Sequence, residues 1–88
     1  MLAYRVEIQD AADRDLDRLA PTLFRRLMDH ITALGTEPRQ PGAIKLSGVA
    51  AYRIRVGDHR VIYMIDDSAR VVRVTRVAHR SEVYRRLR

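Results

Sequence analysis

The stretch YRIRVGDHRVIYMI, residues 52–65, decides the fold. Apolar and arginine side chains alternate before its Gly57-Asp58 dipeptide, and apolar side chains recur at every second position after it. Alternation with period two is typical of a strand, and a glycine-first dipeptide between two such runs is typical of a two-residue turn. The stretch therefore predicts a β-hairpin with strands at 52–56 and 59–65.

A two-residue turn at Gly57-Asp58 fixes how the two strands pair. Val56 then faces His59, and Arg55 lies opposite Arg60, with the Cβ atoms of each pair about 5 Å apart on the same side of the sheet. One face of the hairpin carries apolar side chains that can pack on helices. The other face carries three arginines, which are Arg53, Arg55 and Arg60.

Three arginines on one patch can be interpreted in two ways. Guanidinium groups that face each other repel, so the pair of Arg55 and Arg60 costs stability unless an anion lies near it. A planar guanidinium matches two phosphate oxygens at once, which favours a phosphate-binding surface. The other interpretation is that the side chains extend into water from an uncovered sheet face. We favour phosphate binding, and this choice depends on the predicted register.

The distribution of charge also favours a binding surface. The 88-residue chain has 17 Lys and Arg against 11 Asp and Glu, a net charge of +6. Residues 1–50 carry seven basic and seven acidic side chains, whereas residues 51–88 carry ten arginines and four acidic side chains. The excess of positive charge therefore belongs to the part of the chain that contains the hairpin. Nucleic acid is the commonest partner of such a surface, and an acidic protein is the other candidate.

The composition excludes several classes of protein. A chain without cysteine has no disulfide scaffold, thiol nucleophile or zinc ribbon, and the three histidines lack metal-ligand spacing. No apolar run approaches the roughly 20 residues of a membrane span, and Arg5 and Glu7 interrupt the N-terminal stretch where a signal peptide is apolar. We expect a cytoplasmic protein with one domain, residues 1–88, because this length has room for a single core.

The segments around the hairpin predict an α+β domain. Residues 3–8 alternate and predict a strand, and Asp10 can cap the helix that follows it. Leucines at helical spacing predict a second helix that begins near Pro21 and stops at Gly35. The segment 36–48 contains two prolines and two glycines and is predicted to be a loop.

After the hairpin, residues 66–69 predict a turn, residues 70–78 a further strand, and residues 81–88 one or two helical turns. The predicted order of elements is β-α-α-β-β-β-α. It gives a small antiparallel-rich sheet with an N-terminal helical hairpin packed on one face. The apolar stripes of the two helices are assigned to the core rather than to a binding groove.

The hairpin and the ending RVAHRSEVYRR, residues 76–86, resemble the second half of the RelE/ParE superfamily of bacterial toxins. The most specific parts are RVGDHRVIY at 55–63 and HRSEVY at 79–84. The KLSG stretch at 45–48, with the strand and helical hairpin before it, fits the same pattern. The resemblance therefore covers essentially the whole chain.

The resemblance implies a toxin of a type II toxin–antitoxin system. RelE-like members are endoribonucleases that cut messenger RNA in the ribosomal A site, whereas ParE-like members share the fold but inhibit DNA gyrase. Both kinds are neutralised by a cognate antitoxin, so the implied partners are a RelB-like antitoxin, the ribosome and mRNA, with no cofactor and no membrane. The basic residues of the hairpin favour the RelE-like branch, and the ParE-like alternative stays open.

The matching positions imply a catalytic set and an RNA-binding set. The catalytic places are filled by Arg60, Arg80 and Tyr84. The places that hold the RNA backbone are filled by Lys45, Arg53 and Arg55. In the implied reaction the ribose 2′-hydroxyl attacks the adjacent phosphate, and fixed cations stabilise the charge on the phosphoryl oxygens without a metal. DNA lacks this hydroxyl and cannot react in this way.

The chain departs from the family pattern at the general base. The best-known members place two basic residues, often lysines, where this chain has Arg53 and Arg55. Arginine effectively keeps its proton, so neither residue can act as a general base as it stands. His59 and His79 are near the arginines in sequence, and imidazole titrates near neutrality, so either is a candidate acid or base. Packing or a surface position is the commoner role of a lone histidine.

Overall fold

The computed structural model describes residues 3–48 and 50–82. Its elements in chain order are β1 (Arg5–Ile8), α1 (Asp10–Asp17), α2 (Pro21–Ala33), β2 (Ile44–Lys45), β3 (Tyr52–Val56), β4 (His59–Asp66) and β5 (Val71–His79). The strands form a five-stranded sheet in the order β1-β5-β4-β3-β2, with β1 parallel to β5 and the other neighbours antiparallel. The predicted α+β fold is confirmed. In this part of the chain, no helix is long and apolar enough to span a bilayer.

The hairpin of β3 and β4 has the predicted register. Val56 faces His59, and Arg55 faces Arg60. Gly57 has a φ of 61°, in the left-handed region that the first residue of a glycine-first turn must adopt and that glycine enters without a Cβ clash. The turn chemistry in the sequence therefore sets which side chains share a face.

The sheet is covered by apolar contacts on both faces. The main core lies between the sheet and the two helices, and its fully buried side chains include Leu16, Leu27, Ile31, Val61, Tyr63 and Val74. A smaller cluster of Ala51, Ile62 and Ala78, with half-buried Leu46 packed against it, lies on the arginine-bearing face. That face is therefore partly closed rather than an open sheet surface in water.

The boundaries differ from the prediction at several places. Asp10 is the first residue of α1, and Gln9 takes the N-cap position without a side-chain hydrogen bond, so the prediction of Asp10 as the cap is wrong. Residues 44–45 form β2 where a loop was predicted, because their backbone pairs with the edge of β3. A strand of two residues is too short to show alternation. The C-terminal helical turns fall mostly on residues 83–88, outside the described residues.

Helix α1 covers the part of β5 that lies beyond its pairing with β1. That pairing ends at Val74, and the Asp15 carboxylate then accepts the backbone N–H of Val77 at 2.9 Å. Nε and Nη2 of Arg76 donate to the two oxygens of the same carboxylate, each at 3.0 Å. Asp15 thus satisfies a strand donor and a partly buried guanidinium together.

Removing the Asp15 side chain leaves the N–H of Val77 and the guanidinium of Arg76 without this acceptor. We expect Asp15→Ala to lower the free energy of unfolding by about 3 kcal/mol, the cost of breaking a buried charged pair. Urea unfolding followed by circular dichroism measures the change. Asp17→Ala, at an exposed position of the same helix, is the matched control. Equal midpoints for the two variants would contradict this role of Asp15.

Candidate nucleic-acid interface

Three arginines of the hairpin lie on the sheet face opposite the helices, and we call this surface the arginine face; its members are Arg53, Arg55 and Arg60. Arg55 and Arg60 are cross-strand partners, and Arg53 follows two residues away on the same side of β3. Residues that face each other in an antiparallel pair hold their Cβ atoms within about 5 Å. The hairpin therefore concentrates positive charge on one patch.

Arg60 is buried, with 9% of its surface exposed. Its Nη1 donates to the backbone carbonyl of His59 at 3.3 Å. A guanidinium has five N–H donors, and no carboxylate of residues 3–48 or 50–82 forms an ion pair with Arg60. A buried cation without a counter-ion lowers the stability of the fold. An anionic ligand bound next to Arg60 would remove this cost and so raise the free energy of unfolding.

The other two arginines differ in their exposure. Arg53 is half-buried, and its Nε and Nη1 atoms are buried with no hydrogen-bond partner within the described ranges. Arg55 is exposed, so the interpretation of a side chain extended into water fits it alone. Within the described residues, the arginine face thus offers buried donors that lack acceptors beside one exposed cation, which suits an anion with several oxygens, such as a phosphate.

The remaining basic residues predicted for the site lie elsewhere or at its border. Lys45 pairs with Tyr52, which places it on the helix side of the sheet, so the structure does not group it with the arginine face. The backbone N–H of Arg80 donates to the carbonyl of Asp58 at 2.7 Å, which ties this residue to the hairpin turn. The Arg80 side chain is exposed. Tyr84 lies outside the described residues.

The two candidate histidines lie on the helix side of the sheet. His59 and His79 pair across β4 and β5, with ring centroids 5.7 Å apart in an edge-to-face arrangement. Nδ1 of His79 accepts the backbone N–H of Ser81 at 3.2 Å. Both residues line a cavity of about 150 Å³ next to α1. The structure therefore places neither imidazole on the face that carries Arg60.

Burial lowers the pKa of His59 below its usual value, and the nearby His79 lowers this pKa further, while Asp58 opposes the shift. The folded protein therefore binds a proton at His59 less readily than the unfolded chain does. The stability that this difference contributes is fully present above the unfolded-state pKa of about 6.5 and is lost as the pH falls through the folded-state pKa.

We expect the free energy of unfolding to fall between pH 7.5 and pH 5, with His59→Gln removing part of this dependence because glutamine does not titrate. Urea unfolding at a series of pH values measures it. His30→Gln, which replaces an exposed imidazole, is the matched control. A native pH profile in the His59→Gln variant would show that His59 is not the responsible group.

A network that the sequence analysis missed fastens the loop between α2 and β2 to the sheet. The Arg39 guanidinium donates to both oxygens of Asp67, at 3.2 and 2.9 Å, and Tyr4 donates its hydroxyl to the same carboxylate. The hydrogen bonds from Arg39 and Tyr4 lower the pKa of Asp67 to about 2. Arg39 and Asp67 belong to two separate loops, 28 residues apart, so no sequence spacing signals their contact.

Tyr63 provides the second attachment of this loop. Its hydroxyl donates to the Pro38 carbonyl at 2.7 Å, and burial raises the pKa of the Tyr63 hydroxyl to about 12. The Tyr63 ring stacks on Tyr52 with centroids 5.9 Å apart. The loop next to the outer edge of β3 is therefore held at two points.

Comparisons with known proteins agree with this architecture. A family model described as the ParE toxin of the type II toxin-antitoxin system, parDE, matches residues 6–84. Toxin RelG of Mycobacterium tuberculosis (strain ATCC 25618 / H37Rv) is 31% identical over 87 residues, which are 97% of this chain and 100% of that toxin.

Solved structures extend the similarity to the fold. A chain of the archaeal RelE-RelB complex from Pyrococcus horikoshii OT3 is 31% identical with a TM-score of 0.79, covering 91% of this chain and 97% of that chain. A chain of the toxin-antitoxin complex RelBE2 from Mycobacterium tuberculosis is 29% identical with a TM-score of 0.78, covering 88% and 98% respectively. The similarity thus includes both helices, the sheet and the hairpin that bears the arginines.

Proposed function

The chain belongs to the ParE toxin family of type II toxin–antitoxin systems, and from that premise we propose that it is a metal-independent endoribonuclease that cleaves messenger RNA on the ribosome. The observation that supports this proposal is the arginine face, where buried Arg60 has no carboxylate partner among residues 3–48 and 50–82. A fixed cation of this kind is suited to a phosphoryl group that gains charge in the transition state. Similarity to Toxin RelG and to RelE structures favours the same branch.

In the proposed reaction the ribose 2′-oxygen bonds to the adjacent phosphorus and the bond from phosphorus to the 5′-oxygen breaks. The 2′-hydroxyl loses a proton and the leaving 5′-oxygen gains one, so the products are a 2′,3′-cyclic phosphate and a 5′-hydroxyl. Arg60 and Arg80 stabilise the phosphoryl oxygens, while Arg53 and Arg55 hold the backbone. The buried position of Arg60 strengthens its attraction for this charge because less water screens it.

Fewer side chains are candidates for proton transfer than for stabilising the charge on the phosphoryl oxygens. Arginine keeps its proton at neutral pH, and His59 and His79 lie on the other side of the sheet from Arg60. Tyr84 is the side chain that we propose for proton transfer or for stacking on a base. The arginines then contribute by electrostatics and by positioning, and alignment of the RNA on the ribosome supplies a further part of the rate.

We also propose that a RelB-like antitoxin binds and neutralises the protein in the cytoplasm. The solved relatives from Pyrococcus horikoshii and Mycobacterium tuberculosis are toxin–antitoxin complexes. Residues 51–88 carry ten arginines and four acidic side chains. This positive charge would attract an anionic antitoxin segment to the surface that we propose for RNA binding.

Inhibition of DNA gyrase without catalysis is the second candidate function. The matching family model is itself described as a ParE toxin. A lysine at position 53 or 55 could give up a proton. This chain has arginines there, and arginine keeps its proton. Under this alternative the arginine face would contact an acidic protein surface.

Truncating the arginines that we place at the scissile phosphate should slow cleavage strongly. We expect Arg60→Ala and Arg80→Ala each to lower the rate of mRNA cleavage at least about 100-fold, the scale of losing a transition-state donor. Primer extension on mRNA in a translating extract measures cleavage, and circular dichroism checks that the variants fold. Arg14→Ala, at an exposed position of α1, is the control that removes one positive charge away from the arginine face.

Two results would overturn the ribonuclease proposal. One is unchanged cleavage in both arginine variants. The other is intact mRNA together with loss of DNA supercoiling in a gyrase assay with the native protein, which would establish the ParE-like alternative.

A further inference from the structure

A cavity of about 180 Å³ opens at the outer edge of β3, between this strand, α2 and the attached loop. We propose that it receives one nucleobase of the RNA, next to the phosphate on the arginine face; this inference rests on the proposed function. Six residues line the cavity: His30, Gln40, Pro41, Gly42, Ile54 and Arg55. None of them carries a carboxylate that would repel a nucleotide.

The strand edge in this cavity has a backbone donor and acceptor side by side. Strand β2 pairs with β3 at Tyr52 and Arg53, and among the described residues no strand pairs with the edge beyond Arg53. Val56 and His59 close a two-residue turn, which makes Val56 and Ile54 the hydrogen-bonded positions toward β4. The backbone N–H and C=O of Arg55 therefore face the open edge. These two backbone groups can form hydrogen bonds with an adjacent donor and acceptor on the edge of a base.

The side chains of the cavity add both polar and apolar contacts. The amide Nε2 of Gln40 donates to the His30 carbonyl at 3.3 Å, which orients the amide and presents its oxygen as a further acceptor. His30 also lines the cavity, and an imidazole is a group that can donate, accept or stack. Pro41 and Ile54 give the cavity the apolar surface that the faces of an unstacked base require.

The wall that carries Gln40 and Pro41 is fixed before a ligand arrives. The preceding residues are attached to the sheet by the hydrogen bonds of Arg39 with Asp67 and by the contact of Tyr63 with the Pro38 carbonyl. A site that is already ordered loses less conformational entropy on binding. The geometry is therefore that of a recognition site rather than a gap between mobile side chains.

Arg55 connects the cavity to the arginine face. Its side chain shares that face with Arg60, while the residue also lines the cavity. One strand is about 4.8 Å wide, so a nucleotide with its phosphate near Arg55 can turn its base around the strand edge. A partner helix is about 10 Å across and does not fit into this volume, which leaves an extended peptide as the rival occupant.

Nucleotide binding tests the cavity directly. The ¹⁵N-labelled protein is titrated with AMP, GMP, CMP and UMP, and with ribose 5-phosphate as the probe without a base. We expect saturable shifts of the Gly42 and Arg55 amides with at least one nucleotide and no such shifts with ribose 5-phosphate. Shifts confined to the arginine face, or equal shifts with ribose 5-phosphate, would overturn the inference.

Cleavage patterns test whether the bound base matters in the reaction. We expect Gln40→Ala to change the relative use of cleavage sites in mRNA by about two- to tenfold, the effect of one lost hydrogen bond. Thr32→Ala, at an exposed position of α2, should keep the native pattern. A native pattern in Gln40→Ala would contradict the inference.

The two proposals can fail separately. If the native protein cleaves mRNA but Gly42 does not respond to any nucleotide, the base site is wrong and the ribonuclease proposal stands. If Gly42 and Arg55 respond to a nucleotide but the native protein cleaves no mRNA, the ribonuclease proposal is wrong and the base site stands as a nucleotide-binding site.

Discussion

The register set by the turn at Gly57-Asp58 is the constraint on which the rest of the molecule depends. A shift of one residue would turn every side chain of β3 to the other face, so that Ile54 would leave the core and Arg55 would enter it. Gly57, with a φ of 61°, makes the observed turn possible without strain. The register that places Ile54 in the core therefore also places the arginines on the opposite face of the sheet.

Two arginines of the same sheet show why the arginine face differs from an ordinary structural contact. Arg76 has 24% of its side chain exposed and forms two hydrogen bonds with the Asp15 carboxylate. Arg60 has 9% of its surface exposed and donates to one backbone carbonyl. The fold supplies a counter-ion where an arginine serves stability. At Arg60 the described residues supply none, and this local cost is what motivates our proposal of a phosphate site there.

The second apolar cluster helps to explain how Arg60 becomes buried on the face opposite α1 and α2. Ile62 is fully buried there, with Ala51 and Ala78 beside it. Small side chains let the chain close over part of the sheet, so the guanidinium lies in a partly dehydrated environment where its charge acts more strongly on a ligand. The loop that Arg39 and Tyr63 attach lies at the outer edge of the same sheet. Strand β3 thus carries residues of both the arginine face and the cavity.

The sequence by itself determined the α+β class, the hairpin, its register and the sharing of one face by Arg53, Arg55 and Arg60, because alternation and turn chemistry are local properties of the chain. The tertiary structure alone decided burial, pairing and distance. It placed His59, His79 and Lys45 on the helix side of the sheet, opposite Arg60. It also left Nε of Arg53 without a hydrogen-bond partner in the described ranges. These outcomes depend on contacts between segments far apart in the chain, such as that of Arg39 with Asp67, which no local pattern encodes.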